Sequence, residues 1–370
     1  MSRTIRRYLL LLLAVLAVCY FFYRFRNSIT LEGFHWSAVA QALRSARIGL
    51  LALGVVTIYA CFAVRSLRWV RFCRWLGNAD FWRTYSATLT GFTCIFLLGR
   101  AGEPIRPVLI ARKNSLSMAG MFGVYVLERV ADIAATVVIA GLALLLFRHH
   151  ETSSALAMRL VHVARSAGVL LFAVLAAMMI FLVYFRFQGG GWLGRRLHES
   201  AWRQGWRGRV VRLLEGFSEG LQGIRTAGDL GTLTGYTAVH WILVTLVYWI
   251  VIHAFPGRLS ELSLGNVTLV FAFSLVGSAI QLPGVGGGAQ LAAFLVFTLI
   301  FGVEKEAAAT ASIMLWLVSF ASCSIVGLPL LFREGWSMGE LRQMAQAEEK
   351  ASKPELLSEA GRASSRETLR

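Results

Sequence analysis

Between Gly99 and Asp132, the charged residues Arg100, Glu103, Arg106, Arg112, Glu128, Arg129 and Asp132 stand in or beside apolar sequence. Charge within hydrocarbon is costly, so such groups mark function or paired structure. Arg100, Glu103 and Arg106 recur at every third position, and Pro104 and Pro107 break the helix among them, freeing backbone groups. A guanidinium grips phosphate with a two-pronged fork, and helix N-termini beside the break add oriented N–H donors. With Arg112, this set suits an anionic lipid headgroup. The plainer alternative is that Glu103 pairs with one or both arginines and pins the break. Two arginines against one carboxylate leave positive charge over, which favours binding.

Glu128 and Asp132 share one helix face at a four-residue spacing, with Arg129 beside them. They read as counter-charges for Arg100, Arg106 or Arg112 that gate access, or more simply as a buried pair holding two helices in register. With no histidine near them they suggest neither a metal site nor acid–base catalysis. A third feature runs from Gln281 to Gln290 and holds Pro283, Gly284, Gly286, Gly287 and Gly288. Such glycine density permits an unwound helix and close backbone approach. It is not a nucleotide loop, for it lacks the lysine and hydroxyl residue of a P-loop. Gln281 and Gln290 can bond a headgroup or satisfy freed backbone, and both readings stand.

The elements that position these residues follow from composition. The chain has 370 residues, is 56% hydrophobic and only 15% charged, against about 25% charged in soluble domains. Its apolar runs imply an all-α, polytopic helical membrane bundle, because lipid leaves only helices or closed barrels and the short alternating segments of a barrel are missing. Six runs are near spanning length: Tyr8 to Tyr23, Ile48 to Val64, Met118 to Phe147, Gly168 to Phe185, Thr234 to Phe255 and Ala307 to Phe332. The basic start of the chain and its first run read as a retained helix rather than a cleaved signal.

Arginine counting orients the bundle. Arg65, Arg68, Arg71, Arg74 and Arg83 load one loop, and a second arginine-rich stretch follows residue 185, so both read as cytoplasmic. The parity of the spans then makes two segments, about 84–107 and 265–301, re-entrant from opposite faces, the arrangement of an inverted repeat with its binding site between the breaks. Residues 186–233 read as a cytoplasmic loop with an amphipathic helix, residues 1–332 as one transmembrane domain, and residues 333–370 as a polar, disordered tail too small for a catalytic domain. Both termini are expected in the cytoplasm.

The net charge of +17 is nearly all arginine beside apolar runs. It points to anionic membrane lipid and not to nucleic acid. The five cysteines, Cys19, Cys61, Cys73, Cys94 and Cys323, have no paired spacing and suggest neither disulfides nor metal. His240 and His253 are thirteen positions apart and read as packed or interfacial. No cofactor is expected.

The strings Gly-Arg-Ala-Gly-Glu-Pro-Ile-Arg-Pro from Gly99, Leu-Glu-Arg-Val-Ala-Asp from Leu127 and Leu-Pro-Gly-Val-Gly-Gly-Gly from Leu282, in this order, resemble the flippase-like membrane domain of lysylphosphatidylglycerol synthases. The resemblance covers roughly Tyr8 to Phe332. It implies movement of a charged phospholipid or lipid-linked intermediate between the leaflets of a bacterial cytoplasmic membrane, with Arg100, Glu103, Arg106, Glu128, Arg129 and Asp132 at the family's charged positions. The synthase's soluble aminoacyl-transferase domain has no counterpart here, so lysine transfer is not expected. Family members often carry an acidic residue shortly after the glycine run, where this chain has Gln290, which counts against cation or proton coupling there. The alternatives are an accessory membrane subunit recruiting an enzyme or a second copy, and an enzyme transferring a glycosyl or aminoacyl group to a lipid.

Overall fold

The computed structural model describes residues 36–146, 227–282 and 286–333, with the single positions 169 and 173. The expected spans Tyr8 to Tyr23 and Gly168 to Phe185, the amphipathic stretch up to residue 226, Pro283, Gly284 and the tail after Arg333 lie outside the described residues. What is described is almost wholly helical, as an all-α bundle requires. The helices are α1 (Trp36–Ser45), α2 (Ile48–Cys73), α3 (Phe81–Leu98), α4 (Ile105–Asn114), α5 (Met118–Leu146), α6 (Ala227–His253), α7 (Leu264–Gly277), α8 (Gly288–Leu295), α9 (Lys305–Trp316) and α10 (Cys323–Arg333). Three stretches are long and apolar enough to cross a bilayer: Ile48–Cys73, Gly228–His253 and Lys305–Arg333, the last running through one wide turn at Leu317–Ala321. The 29 residues of α5 extend about 43 Å, also ample for a crossing.

Contacts at the helix ends define two poles. At one, the Arg47 amide donates to the Ala254 carbonyl at 2.8 Å, and Arg258 reaches the Gly302 carbonyl at 2.9 Å, so the start of α2, the end of α6 and the outer ends of α7 and α8 gather there. At the other, Arg71 pairs with Asp229 at 3.4 Å and Asn114 Oδ1 accepts from the Asp80 amide at 2.8 Å, which brings the end of α2, the start of α6 and the outer ends of α3 and α4 together.

Two helical hairpins enter from these opposite poles. In the first, α3 stops at Gly99, a short 3-10 turn runs to Gly102, and α4 folds back along α3. Gly91 lets the two touch: a Cβ there would stand 2.6 Å from the Cβ of Arg106. In the second, α7 ends at Gly277, and a two-residue antiparallel ladder pairs Gln281 with Gly287 and Leu282 with Gly286 before α8 returns. Gly286 and Gly287 sit at φ of 99° and 149°, a region L side chains rarely adopt. The tips meet, since Arg100 donates to the Ser278 carbonyl at 2.8 Å.

Helix α2 corrects the expected loop. The run Ile48 to Val64 does not end there; the helix continues to Cys73, so Arg65, Arg68 and Arg71 belong to the bundle. Apolar burial continues at Trp69, Phe72 and Cys73, and carboxylates from α5 neutralise the first two arginines. Helix α6 likewise starts at Ala227, seven residues before the expected Thr234.

Cys61, Cys73, Cys94 and Cys323 are buried, and no disulfide joins them. A Cys19→Ser variant should therefore take up no membrane-impermeant maleimide in native membranes, and four labels per chain after denaturation, counted by mass spectrometry. Native labelling of any of the four would contradict the packing of α2, α3 and α10.

Candidate functional site

Three helices place a charged side chain at matching depth. Arg65 lies eight residues before the end of α2, Arg106 eight before the end of α4 and Glu128 ten after the start of α5. At 1.5 Å per residue each is about 12–15 Å from the same pole. The period of the helix then aims Arg65, Arg68 and Trp69 to one side of α2, and Glu128 and Asp132 to one side of α5.

Glu128 is the hub. Its Oε1 accepts from Arg65 Nε at 2.7 Å, Arg68 Nη2 at 2.9 Å, Trp69 Nε1 at 2.8 Å and Arg106 Nη1 at 3.3 Å. Its Oε2 accepts from Arg106 Nη2 and, at 3.4 Å, from Arg129 Nη2. Asp132 takes a second arm of Arg65 at 2.5 Å and, at 3.0 Å, shares the Arg68 Nη2 that also serves Glu128, and Arg129 lies 3.4 Å from it. Arg68 and Glu128 are fully buried and Arg106 is 2% exposed. From α6, Thr237 accepts from Arg68 at 3.1 Å, and the His240 ring packs with Nδ1 3.3 Å from the Cys61 carbonyl, in keeping with its packed reading. Ions removed from water at this depth persist only if paired and hydrogen-bonded.

Aromatic rings complete the pairing. The guanidinium groups of Arg65 and Arg106 each lie 5.3 Å from the Phe92 centroid, Arg106 is also 5.1 Å from Trp69, and Arg129 is 5.2 Å from Tyr125. Ring faces attract cations where water is scarce.

The hub forms one wall of a cavity of about 390 Å³ between the hairpin tips. Arg65, Arg106, Arg129 and Asp132 line it on one side; Arg100, Glu103, Gln281, Gly286, Gly287 and Gln290 line it at the tips; Phe92, Trp241, Trp316 and Phe320 supply apolar wall. A cavity of this size with a few convergent polar groups is the usual form of a small-ligand site.

Of the residues marked in sequence, Glu103 pairs with Arg100 at 2.8 Å and accepts from Tyr125 at 3.0 Å, while Arg106 turns instead to Glu128. Arg112 is exposed near the end of α4 and is not brought to the cavity. Gln290 satisfies freed backbone, its Oε1 accepting from the Gly287 amide. The glycines at Gly277 and Gly288 let α7 and α8 close on one another, since a Cβ on either would overlap the other's carbonyl.

Arg65, Arg68 and Trp69 are site residues that arginine counting assigned elsewhere. A usable signal was present: Phe62, Arg65, Trp69 and Phe72, with Cys73, continue one helical stripe past Val64, placing the arginines on a face of an unbroken helix.

A family model described as the lysylphosphatidylglycerol synthase transmembrane region matches residues 8–327. No curated protein and no solved structure matches the chain.

Proposed function

The chain belongs to the family of the lysylphosphatidylglycerol synthase transmembrane region, and from that premise we propose that this multi-pass membrane protein moves an anionic lipid from one leaflet to the other. The family gives a lipid-related role in the membrane; transport is the reading that the cavity favours. One observation carries it: a mainly apolar cavity with an arginine-rich hub on one wall lies where hairpins from opposite poles meet. A headgroup seated there exchanges water for guanidinium donors while its acyl chains stay in the bilayer. Arg100, Glu103 and Tyr125 form the latch at the tips, and their rearrangement opens the cavity toward one pole or the other.

The pole carrying Arg71, Arg74, Arg83, Arg112, Lys113 and Arg333 faces the cytoplasm in this reading, because among the described residues it bears six lysines and arginines against four, Arg44, Arg47, Arg258 and Lys305, at the opposite pole. With the expected span Tyr8 to Tyr23 crossing once more before α2, this reading has both termini on the cytoplasmic side, in a bacterial cytoplasmic membrane. No catalytic step is assigned to the chain, so purified protein should turn over neither nucleotide sugar nor aminoacyl-tRNA.

Reconstitution tests the reading. Proteoliposomes carrying a fluorescent anionic lipid should show dithionite-accessible label exchanging at least about tenfold faster than empty liposomes, a change of roughly 1.4 kcal/mol in barrier. Exchange no faster than in empty liposomes, across anionic, zwitterionic and isoprenoid lipids, would end the transport reading. Arg100→Gln should slow exchange while leaving the fold intact, because its side chain is 49% exposed and outside the hub.

A further inference from the structure

We propose that the cavity selects a doubly charged phosphate, the headgroup of a lipid phosphomonoester, over the singly charged phosphodiester of ordinary phospholipids. The lipid origin of that phosphate rests on the transport reading above; the charge selection rests on the hub.

Among the described residues, Arg65, Arg68, Arg106 and Arg129 all reach Glu128, and Asp132 is the second carboxylate, so four guanidinium groups meet two carboxylates. The Arg100–Glu103 pair is balanced and changes nothing. Two positive charges are left over. They are concentrated, because all four arginines converge on one side chain and two of them share the Phe92 ring. One small dianion matches such a focus better than two separated monoanions.

Unmet donors point the same way. The Nε atoms of Arg106 and Arg129 and the indole nitrogen of Trp241 are buried without a partner among the described residues, and all three side chains line the cavity. A phosphomonoester carries between about −1.5 and −2 charges at pH 7 and presents three strong acceptor oxygens. A diester carries one charge and has two of its oxygens committed to carbon. A cationic headgroup meets like charge at the hub and is rejected.

The test compares two lipids that differ by one methyl group. Purified protein in detergent at about pH 8 is titrated calorimetrically with short-chain phosphatidic acid and with phosphatidylmethanol of the same chains. Phosphatidic acid should bind at least roughly tenfold tighter. In folded Arg129→Gln the surplus drops from two charges to one, and the preference should shrink to about threefold or less; Arg129 is the most exposed of the four, with the longest contacts. Equal affinities for the two lipids in the wild type would overturn the proposal and leave the transport reading standing, provided that an anionic lipid still exchanges in proteoliposomes. A preference undiminished in folded Arg129→Gln would remove the hub as its source. Inorganic phosphate binding as tightly as phosphatidic acid would overturn the lipid assignment. If the variant does not fold, the wild-type ratio alone decides.

Discussion

Glu128→Gln is expected to cost about 3–5 kcal/mol, the range found when one partner of a buried ion pair is removed, out of a total stability of about 5–15 kcal/mol. The amide keeps the shape of the carboxylate but not its charge, and its NH2 would face N–H donors from Arg106 or from Arg65, Arg68 and Trp69. The surplus at the hub rises from two charges to three. Detergent-solubilised Glu128→Gln should give little monodisperse protein on size exclusion, and a sharply lowered thermal midpoint. Arg106→Met in the same chain should restore part of the loss, because a methionine of similar reach removes one guanidinium from the excess. Glu103→Gln is the reference: its partner Arg100 is 49% exposed, and so solvated a pair is worth at most about 1 kcal/mol. Equal losses at positions 103 and 128 would deny Glu128 its central place.

Gly91→Leu should be nearly as damaging, by overcrowding rather than by charge. A Cβ at Gly91 would stand 2.6 Å from Arg106 Cβ and 3.0 Å from its Cα, so backbone as well as side chain must retreat. Moving α4 away from α3 draws the Arg106 guanidinium off Glu128. The expected cost is about 3 kcal/mol, with lipid exchange in proteoliposomes falling to that of empty liposomes. Paired alanine variants separate packing from helix propensity. Gly141 lies in a helix with nothing within 4 Å of a Cβ, so Gly141→Ala should raise stability by up to about 1 kcal/mol, whereas Gly91→Ala should lower it. The same sign at both positions would show that the hairpin contact is looser than its spacing implies.

Much of the bundle was legible because lipid restricts the options. Apolar runs identify helices, and the glycines and prolines at Gly99, Pro104 and Gly286 to Gly288 mark the turns of both hairpins, since those residues cannot continue a helix at low cost. Less was legible where partners come from distant sequence. Arg65 and Arg68 carry the charge that loops next to membranes carry, and only Glu128 and Asp132, 60 or more residues away, reveal that they are buried. The same gap hid which carboxylate serves which arginine. Spacing set Glu103 beside both Arg100 and Arg106, but helix geometry after Pro104 aims Arg106 at α5 and leaves Arg100 at the tip. Gln290 was open for a simpler reason: an amide side chain suits a ligand and a bare backbone N–H equally well.

The bond between the two hairpin tips is written in the gene on one side alone. Arg100 supplies its donor through a side chain, whereas the acceptor is the main-chain carbonyl of Ser278, whose own hydroxyl is turned to the Leu275 carbonyl. Every amino acid brings that acceptor, so the codon for residue 278 can drift without erasing the bond, while the codon for residue 100 cannot. A selection for chains with loosened tips should therefore return changes at 100 and along the path of residues 277–288, and none that act merely by deleting the serine hydroxyl.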